Sequence, residues 1–305
     1  MKPVKHIQLK KNSTVNELVK EMEKSGVLGA GSIAKAVNIF EGMYEDNCTI
    51  FLGVSGAMIP GGMKKILHDL LRKKWVDVLV ITGANLTHDM IEALGYNHFQ
   101  GSAFANDAEL NKKGLYRIYD AYMPNMAYGT LEDFFVKHYE EIKDCKSVKE
   151  LLWKIGSLMK VDSILKICYE NKIPVFCPAL SDSGIGLILW GIIARNKNLS
   201  VKEFEDLKEM MEISWATKKA GVVYIGGGVP KNYIQQSMQL APNKAEYGIQ
   251  ITMDRAEHGG SSGAELREGI SWGKMNPDAR FVNVICDATI ALPIIYGALL
   301  ERLGD

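Results

Sequence analysis

Short apolar runs alternate with helical patterns along most of the 305-residue chain. Apolar runs that end in small residues predict buried strands, and the intervening segments, such as 63–71, carry apolar residues at helical spacing. The predicted strands are 48–57, 76–83, 173–180, 221–228, 247–254 and 281–288. Strands that alternate with helices form parallel sheets. The sequence therefore predicts an α/β fold with a doubly wound, mostly parallel, Rossmann-like sheet and helices on both faces.

Two segments depart from this alternation. Residues 1–45 have a helical pattern, and Thr14 and Glu17 have the spacing of a capping box. Residues 96–160 are predicted to form an insertion of helices and loops. Because no linker or low-complexity run divides the chain, we expect one domain over 1–305.

The composition narrows the class of function. Lys and Arg total 36, as do Asp and Glu, so the charge gives no support for nucleic-acid binding. The five cysteines form no C-x-x-C pair, which indicates reduced thiols and a cytoplasmic protein. No signal peptide or membrane span is expected, because no apolar run is long enough. No histidine has metal-ligand spacing, and surface positions are expected for His6, His68, His98 and His138.

The carboxyl ends of the predicted strands are rich in Gly, Ser, Thr and Asp. Ligands bind at these ends in parallel α/β sheets. The segment GGGVPK, 226–231, follows a strand and opens a helix, which suits either a pyrophosphate-like anion or a simple tight turn. GAGSIA, 29–34, follows a helical pattern, so we interpret it as a helix junction and not as a dinucleotide fingerprint. Asp182 and Asp287 each end a strand, where a helix cap is slightly favoured over a ligand contact.

The segment SWGK, 271–274, precedes the last predicted strand. Burial of Lys274 beside Trp272 would favour the neutral amine, which adds to imines and carbonyls to form Schiff bases. From the pattern alone a solvated lysine in a turn is the more frequent case. Glu268, six residues earlier, is expected either in solvent or turned into the cleft. His88 and His258 lie near strand ends and are candidates for the same cleft.

Several segments together resemble the deoxyhypusine synthase family. GISWGKMNPDARFVNVICDAT is similar to the family segment that bears its covalent catalytic lysine, and Lys274 matches that lysine. The spacing to Asp287 also matches. IGGGVPK, PVFCPALSDSG and VDVLVITGANLTHDMIEALG resemble further family segments in the right order. The similarity runs from about residue 25 to the end of the chain.

The resemblance implies a specific chemistry. Family members use NAD to oxidise spermidine beside its secondary amine, and the lysine takes up the four-carbon fragment as 1,3-diaminopropane leaves. The fragment passes to a lysine of a translation factor, within a homotetramer that binds NAD at subunit interfaces. The resemblance assigns catalysis to Lys274, Trp272 and Glu268. It assigns NAD binding to Thr82, Gly83, Asp182, Gly226, Gly227, Gly228, Ser262, Asp287 and Ala288, and substrate binding to His88, Asn232, His258 and Ser261.

The amine-binding half departs from the family pattern. Leu187 and Ser261 stand where the family has aspartates, Asn232 stands where it has a histidine, and His88 stands where many members have glutamate. A buried ammonium needs such carboxylates. The expected activity is therefore transfer from spermidine or a related polyamine. The alternatives are homospermidine synthase-like transfer to a small amine, a non-catalytic NAD-binding paralogue and a plain NAD-dependent dehydrogenase.

Overall fold

The structure, a computed structural model, describes residues 2–195 and 197–304. Its helices are α1 (Val15–Ser25), α2 (Leu28–Glu45), α3 (Lys64–Arg72), α4 (Gly83–Ala93), α5 (Asp107–Lys112), α6 (Ala127–Lys137), α7 (Tyr139–Ile142), α8 (Val148–Leu158), α9 (Ile164–Asn171), α10 (Gly184–Ala194), α11 (Glu203–Ala216), α12 (Gly228–Leu240), α13 (Glu268–Ser271) and α14 (Ala288–Leu303). Its strands are β1 (Thr49–Val54), β2 (Val78–Ile81), β3 (Phe99–Gln100), β4 (Leu115–Ile118), β5 (Ala121–Pro124), β6 (Val175–Phe176), β7 (Ala220–Ile225), β8 (Ala245–Thr252) and β9 (Met275–Ile285).

The principal sheet has the strand order β6, β2, β1, β7, β8, β9. The pairs β1 with β7, β7 with β8 and β8 with β9 are parallel. Each predicted strand is present, which confirms the parallel α/β fold. Two predicted strands differ in length: β6 has only two residues, and β9 begins at Met275 instead of Phe281.

Helices cover both faces of this sheet, as two strand glycines show. An added Cβ at Gly53 would lie 3.3 Å from Ile234 of α12, whereas one at Gly221 would lie 2.7 Å from Met43 of α2. Gly53 pairs with Tyr224, three residues beyond Gly221. Successive strand residues point to opposite faces, so α12 and α2 lie on opposite sides.

The described chain forms two compact units. Unit 1 comprises residues 2–55, 73–80 and 209–304, and unit 2 comprises 56–72, 81–195 and 197–208. In unit 1, Thr14 and Glu17 form the predicted capping box of α1, and GAGSIA lies within α2 next to the bend at Gly26. The expectation that the whole chain is one domain stays a prediction.

Aromatic side chains fill the side of unit 1 that α2 and α14 cover. Trp75 is 3% exposed, and its ring packs against those of Phe40, Tyr44 and Tyr296 with centroid separations of 6.1, 6.3 and 6.0 Å. Large aromatic rings bury more apolar surface than other side chains do. This cluster therefore joins α2 and α14 through Trp75.

In unit 2 the segment 96–160 contains a feature that the sequence interpretation missed. The strands β3, β5 and β4 form a small antiparallel sheet, so the prediction of only helices and loops there was wrong. The strands have two to four residues each, too few to show a period. The β4–β5 turn places Tyr119 at a φ of 55°, so it lacks the glycine that usually marks such a turn.

The five cysteines are free, as the sequence predicted. Cys48, Cys145, Cys168 and Cys177 are buried, and burial raises the pKa of Cys48 and Cys145 to about 11. These thiols are therefore inert at neutral pH. In the part of the chain that the structure describes, no helix combines the length and apolarity that crossing a bilayer requires.

Candidate active site

A tight glycine turn joins β7 to α12 in unit 1. Gly226 has a φ of +76° and Gly228 one of +60°, both in the left-handed region that favours glycine. The Gly227 N–H donates to Ser55 Oγ at 2.8 Å, and an added Cβ at Gly227 would lie 2.3 Å from Ser262 Cα. The structure thus brings Ser262 against the turn. Since α12 has no side-chain cap, its first N–H groups remain available for an anion.

The sequence interpretation missed Lys231, which lies close to the glycine turn. It lies in the first turn of α12 and is 2% exposed. Its Nζ donates to Gln250 Oε1 at 2.9 Å and to the carbonyls of Ser261 and Ala264 at 2.8 and 2.5 Å. Burial lowers the pKa of Lys231 to about 8. The ammonium thereby ties the loop that carries Ser261 and Ser262 to α12 and β8.

A sequence signal for this burial existed. Lys231 shares a helix face with Ile234, Gln235 and Met238, at spacings of three, four and seven residues. All four are buried. A lysine placed on an otherwise inward face indicates a buried ammonium with dedicated acceptors.

Lys274 directly precedes β9 and is half-buried. Its main chain lies at the amino end of that strand, where its carbonyl accepts from the Ala245 N–H at 3.3 Å. Its Nζ lies 5.2 Å from the centroid of the Trp272 ring. Trp272 is 58% exposed, so it does not bury Lys274. Lys274 lies near α12, because an added Cβ at Gly269 would lie 3.6 Å from Lys274 Cβ and 3.7 Å from Gln235 Nε2 of that helix. Its charge lowers the pKa of Lys231.

The other predicted site residues of unit 1 differ in their exposure and contacts. Glu268 begins the short helix α13, is exposed, and acts electrostatically on Lys231. Asn232 is half-buried in the first turn of α12. His258 is exposed, and its Nδ1 accepts from the Gly260 N–H at 3.0 Å. The structure thus brings Glu268, Ser261 and Ser262 near Lys231, whereas it leaves His258 on the surface.

Asp287 caps α14, as the sequence slightly favoured. Its Oδ1 accepts from the Thr289 N–H at 2.8 Å and from the Thr289 hydroxyl. Within the described residues Oδ2 has no hydrogen bond and is available to a ligand. Ala288 follows as the first residue of α14. Both residues lie at the carboxyl end of β9, where a ligand is expected.

Unit 2 brings together Thr82, Gly83 and the residue after Asp182. Thr82 caps α4 by accepting from the Asn85 N–H. An added Cβ at Gly83 would lie 2.6 Å from Ser183 Oγ, so the starts of α4 and α10 touch. Asp182 itself is exposed and does not cap α10. The cap is Ser183, whose Oγ accepts from the Gly186 N–H at 3.1 Å. The favoured capping role for Asp182 was therefore wrong.

His88 belongs to a chain of polar groups in unit 2. Its Nδ1 lies 2.9 Å from His98 Nε2, and His98 Nδ1 lies 2.7 Å from Glu92 Oε1. The His98 side chain is 6% exposed, so its predicted surface position was wrong. Lys64 extends this row of polar groups, because its Nζ lies 3.2 Å from Glu92 Oε2.

Asp89 is the buried centre of a second polar group. It is fully buried, and it lies 3.0 Å from His68 Nε2 and 3.7 Å from Lys64 Nζ. Its Oδ2 also accepts from the Ile164 N–H, at the start of α9, at 2.6 Å. His68 is 4% exposed, which contradicts its predicted surface position. The sequence placed His68 on α3 without showing that a carboxylate of α4 faces it.

Asp89→Asn is expected to lower the free energy of unfolding by about 3 kcal/mol, because removing one partner of a buried ion pair leaves the others uncompensated. Urea denaturation followed by circular dichroism measures this change. Glu140→Gln is the matched control, since Glu140 is 73% exposed and pairs with Lys143 at the surface; its effect should stay below about 1 kcal/mol. Equal effects of the two variants would contradict the importance of the Asp89 group.

Comparison with known proteins identifies the family. A family model described as deoxyhypusine synthase matches residues 17–299. A Methanosarcina mazei protein named probable deoxyhypusine synthase 1 is 46% identical over 305 residues, which cover 99% of this chain and 96% of that protein. The chain belongs to the deoxyhypusine synthase family. A probable deoxyhypusine synthase 1 of Archaeoglobus fulgidus is 38% identical and covers 98% of each chain.

The solved structures agree in fold. The crystal structure of an Entamoeba histolytica protein assigned as a deoxyhypusine synthase superposes with a TM-score of 0.64, at 20% identity, over 98% of this chain and 97% of that one. This similarity shows the fold alone. Membership of the deoxyhypusine synthase family makes the chain an enzyme of the transferase class. Among its described residues no cluster of His, Cys, Asp and Glu forms a metal site.

Proposed function

We propose that this enzyme transfers an aminobutyl group from spermidine, or from a related polyamine, through a covalent imine on Lys274, with NAD as cofactor. The proposal rests on the position of Lys274 beside Trp272, in a chain that matches the family model over residues 17–299. The lysine is half-buried and its amine lies over the Trp272 ring. The proposed acceptor is a lysine of a translation factor.

The residues at the carboxyl ends of β7 and β9 fit a dinucleotide. The start of α12 lacks a side-chain cap, and no atom lies within 4 Å of the Cβ position of Gly228. Backbone N–H groups at such a helix start suit a pyrophosphate. We assign this contact to Gly226, Gly227, Gly228 and Ser262, and a ribose contact to Asp287 beside Ala288. In unit 2 we assign further contacts to Thr82, Gly83 and Asp182. When bound, NAD accepts a hydride from the substrate carbon beside the amine.

Lys274 performs the transfer step in this proposal. Its neutral amine attacks the carbon of the oxidised substrate, the C–N bond to 1,3-diaminopropane breaks, and the four-carbon fragment stays on Lys274 as an imine. The acceptor amine then attacks the same carbon and releases Lys274 as a free amine. Return of the hydride from the bound cofactor would reduce the new imine to the transferred aminobutyl group. Trp272 holds the lysine side chain in place, and Glu268 supplies a negative charge near the entering amines.

The amine donor and acceptor can differ from those of other family members. The Ser261 carbonyl accepts from Lys231 and its side chain carries no charge. Leu187 is also uncharged and is 65% exposed. We assign amine contacts to His88 in unit 2 and to Asn232, His258 and Ser261 in unit 1. Transfer to a small amine, in the manner of a homospermidine synthase, is the second candidate function, because fewer carboxylates are present to hold a polycationic donor.

We further propose that the enzyme works as a cytoplasmic homotetramer. An exposed apolar row on α10 of unit 2 supports subunit contacts: Leu187, Trp190 and Ile193 are 65, 67 and 48% exposed. Large apolar side chains that cluster on a surface mark interfaces. The free cysteines are consistent with a reducing compartment.

A borohydride trap tests the covalent step. The enzyme is incubated with NAD and spermidine, reduced with borohydride and analysed by peptide mass spectrometry. We expect a four-carbon amine adduct on Lys274, because reduction converts the imine to a stable secondary amine. The control omits NAD and should give no adduct. Absence of an adduct with spermidine and with every other polyamine tested, while NAD still binds, would contradict the proposed transfer.

A further inference from the structure

Two imidazoles and one carboxylate form a linear hydrogen-bonded chain in unit 2. His88 and Glu92 lie one turn apart on α4, and His98 follows that helix and bridges them, with distances of 2.9 and 2.7 Å. The imidazole centroids are 4.9 Å apart. The proposed reaction assigns no role to His98 or Glu92.

The hydrogen-bond partners of His88 and His98 determine which of their ring nitrogens carry protons. An ionised carboxylate only accepts hydrogen bonds, so His98 Nδ1 carries a proton and donates to Glu92. In a neutral His98 ring Nε2 is then an acceptor, and His88 Nδ1 must donate to it. This leaves His88 Nε2 unprotonated. In the part of the chain that the structure describes, His88 Nε2 has no hydrogen-bond partner.

We propose that Glu92 and His98 are positioning residues that hold His88 in the tautomer with a free Nε2, and that this relay accepts the proton that the substrate amine must lose. The inference rests on the proposed function. A polyamine nitrogen is protonated at neutral pH, and a protonated nitrogen has no lone pair to assist removal of a hydride from the adjacent carbon. By accepting the proton, the relay would leave that lone pair on the substrate nitrogen.

The proton movement is balanced as follows. The substrate N–H bond breaks, its electrons remain on nitrogen, and the proton joins His88 Nε2. The proton on His88 Nδ1 moves to His98 Nε2. His98 becomes an imidazolium that still donates from Nδ1 to Glu92. The positive charge therefore leaves the substrate and finishes beside a carboxylate.

The charges around the relay favour this final distribution. Burial, followed by the neighbouring His98, lowers the pKa of His88 to about 4, so a lasting charge on His88 is unfavourable. Burial raises the pKa of Glu92, but the hydrogen bond from His98 and the charge of Lys64 outweigh this and hold it below its ordinary value. Beyond Lys64 lies Asp89, which is paired with His68.

The pH dependence of kcat/KM for polyamine turnover tests the relay. In the wild type we expect kcat/KM to fall toward acid as the relay becomes protonated. Glu92→Gln should lower the plateau about tenfold or more. It should also move the acid limb to lower pH, because without the carboxylate the histidine pair binds a proton less tightly. The matched control is Glu141→Gln, which breaks a second His–Glu pair of unit 2, in which Glu141 Oε1 lies 3.2 Å from His138 Nδ1.

A uniform loss of rate in Glu92→Gln, with the acid limb unmoved, would show a merely structural role and overturn the relay. A second measurement tests the relay even if Glu92→Gln fails to fold. Solid-state ¹⁵N spectra of sedimented wild-type enzyme with ¹⁵N-labelled histidine should show a His88 ring, assigned by its loss in His88→Asn, with Nδ1 protonated and Nε2 bare. The opposite tautomer would overturn the proposal. This spectrum needs neither NAD nor polyamine, so it separates failure of the relay from failure of the proposed function.

Discussion

Lys274→Arg is expected to abolish aminobutyl transfer, with a loss of at least about 10³-fold in kcat, the scale of loss when a catalytic nucleophile is removed. Arginine keeps the positive charge and can keep the contact with the Trp272 ring, but a guanidinium stays protonated and does not form an imine. NAD binding should be unchanged, because Lys274 is not among the assigned NAD contacts and arginine keeps its positive charge.

Release of 1,3-diaminopropane from spermidine and labelling of the acceptor measure this loss, and titration calorimetry measures NAD affinity. The matched control is Lys218→Arg, since Lys218 is an exposed lysine of the same unit. It should change neither quantity. Aminobutyl transfer by Lys274→Arg at more than a few per cent of the wild-type rate would rule out the covalent lysine. A plain dehydrogenase predicts instead that hydride transfer to NAD survives Lys274→Ala.

The fold followed from the sequence because its signals are local. The strands β1, β7 and β8 are apolar runs that end in small residues, and the capping box of Thr14 and Glu17 needs only two side chains at fixed spacing. The start of β9 was missed because it opens with a bulge. Ala245 pairs with Met275, but Tyr247 pairs with Arg280, so the residues between carry no strand period.

The site was only partly predictable, because several of its contacts join distant segments. The glycine turn was visible, since left-handed φ angles require glycine. The carbonyls that receive Lys231, at Ser261 and Ala264, lie some thirty residues further along the chain, and no local pattern indicates them. The same holds for His68 and Asp89, which are 21 residues apart on different helices. Buried polar groups are paired by tertiary structure, whereas sequence shows only that a charge falls on an apolar face.

Gly227→Ala is expected to weaken NAD binding by up to about 100-fold, because overpacking costs about 1–3 kcal/mol and here falls on the two segments that carry assigned NAD contacts. The new Cβ would lie 2.3 Å from Ser262 Cα and 2.6 Å from Ser262 Cβ. The atom in the way is backbone, so no side-chain rotation relieves the overlap. The turn and the Ser262 loop have to separate, and both carry assigned NAD contacts. Lys231 resists this movement, because its ammonium ties the loop to α12 and β8.

Titration calorimetry with NAD and thermal unfolding with and without NAD check this prediction. Gly29→Ala is the matched control in the same unit, since no atom lies within 4 Å of its Cβ position and it falls in α2. Alanine there should leave NAD affinity unchanged and stabilise the helix by up to about 1 kcal/mol. If Gly227→Ala binds NAD with wild-type affinity, the cofactor binds away from the glycine turn. Lost NAD affinity in a variant that still unfolds cooperatively without NAD would tie the turn to the cofactor, because overpacking alone lowers stability without acting on a bound ligand.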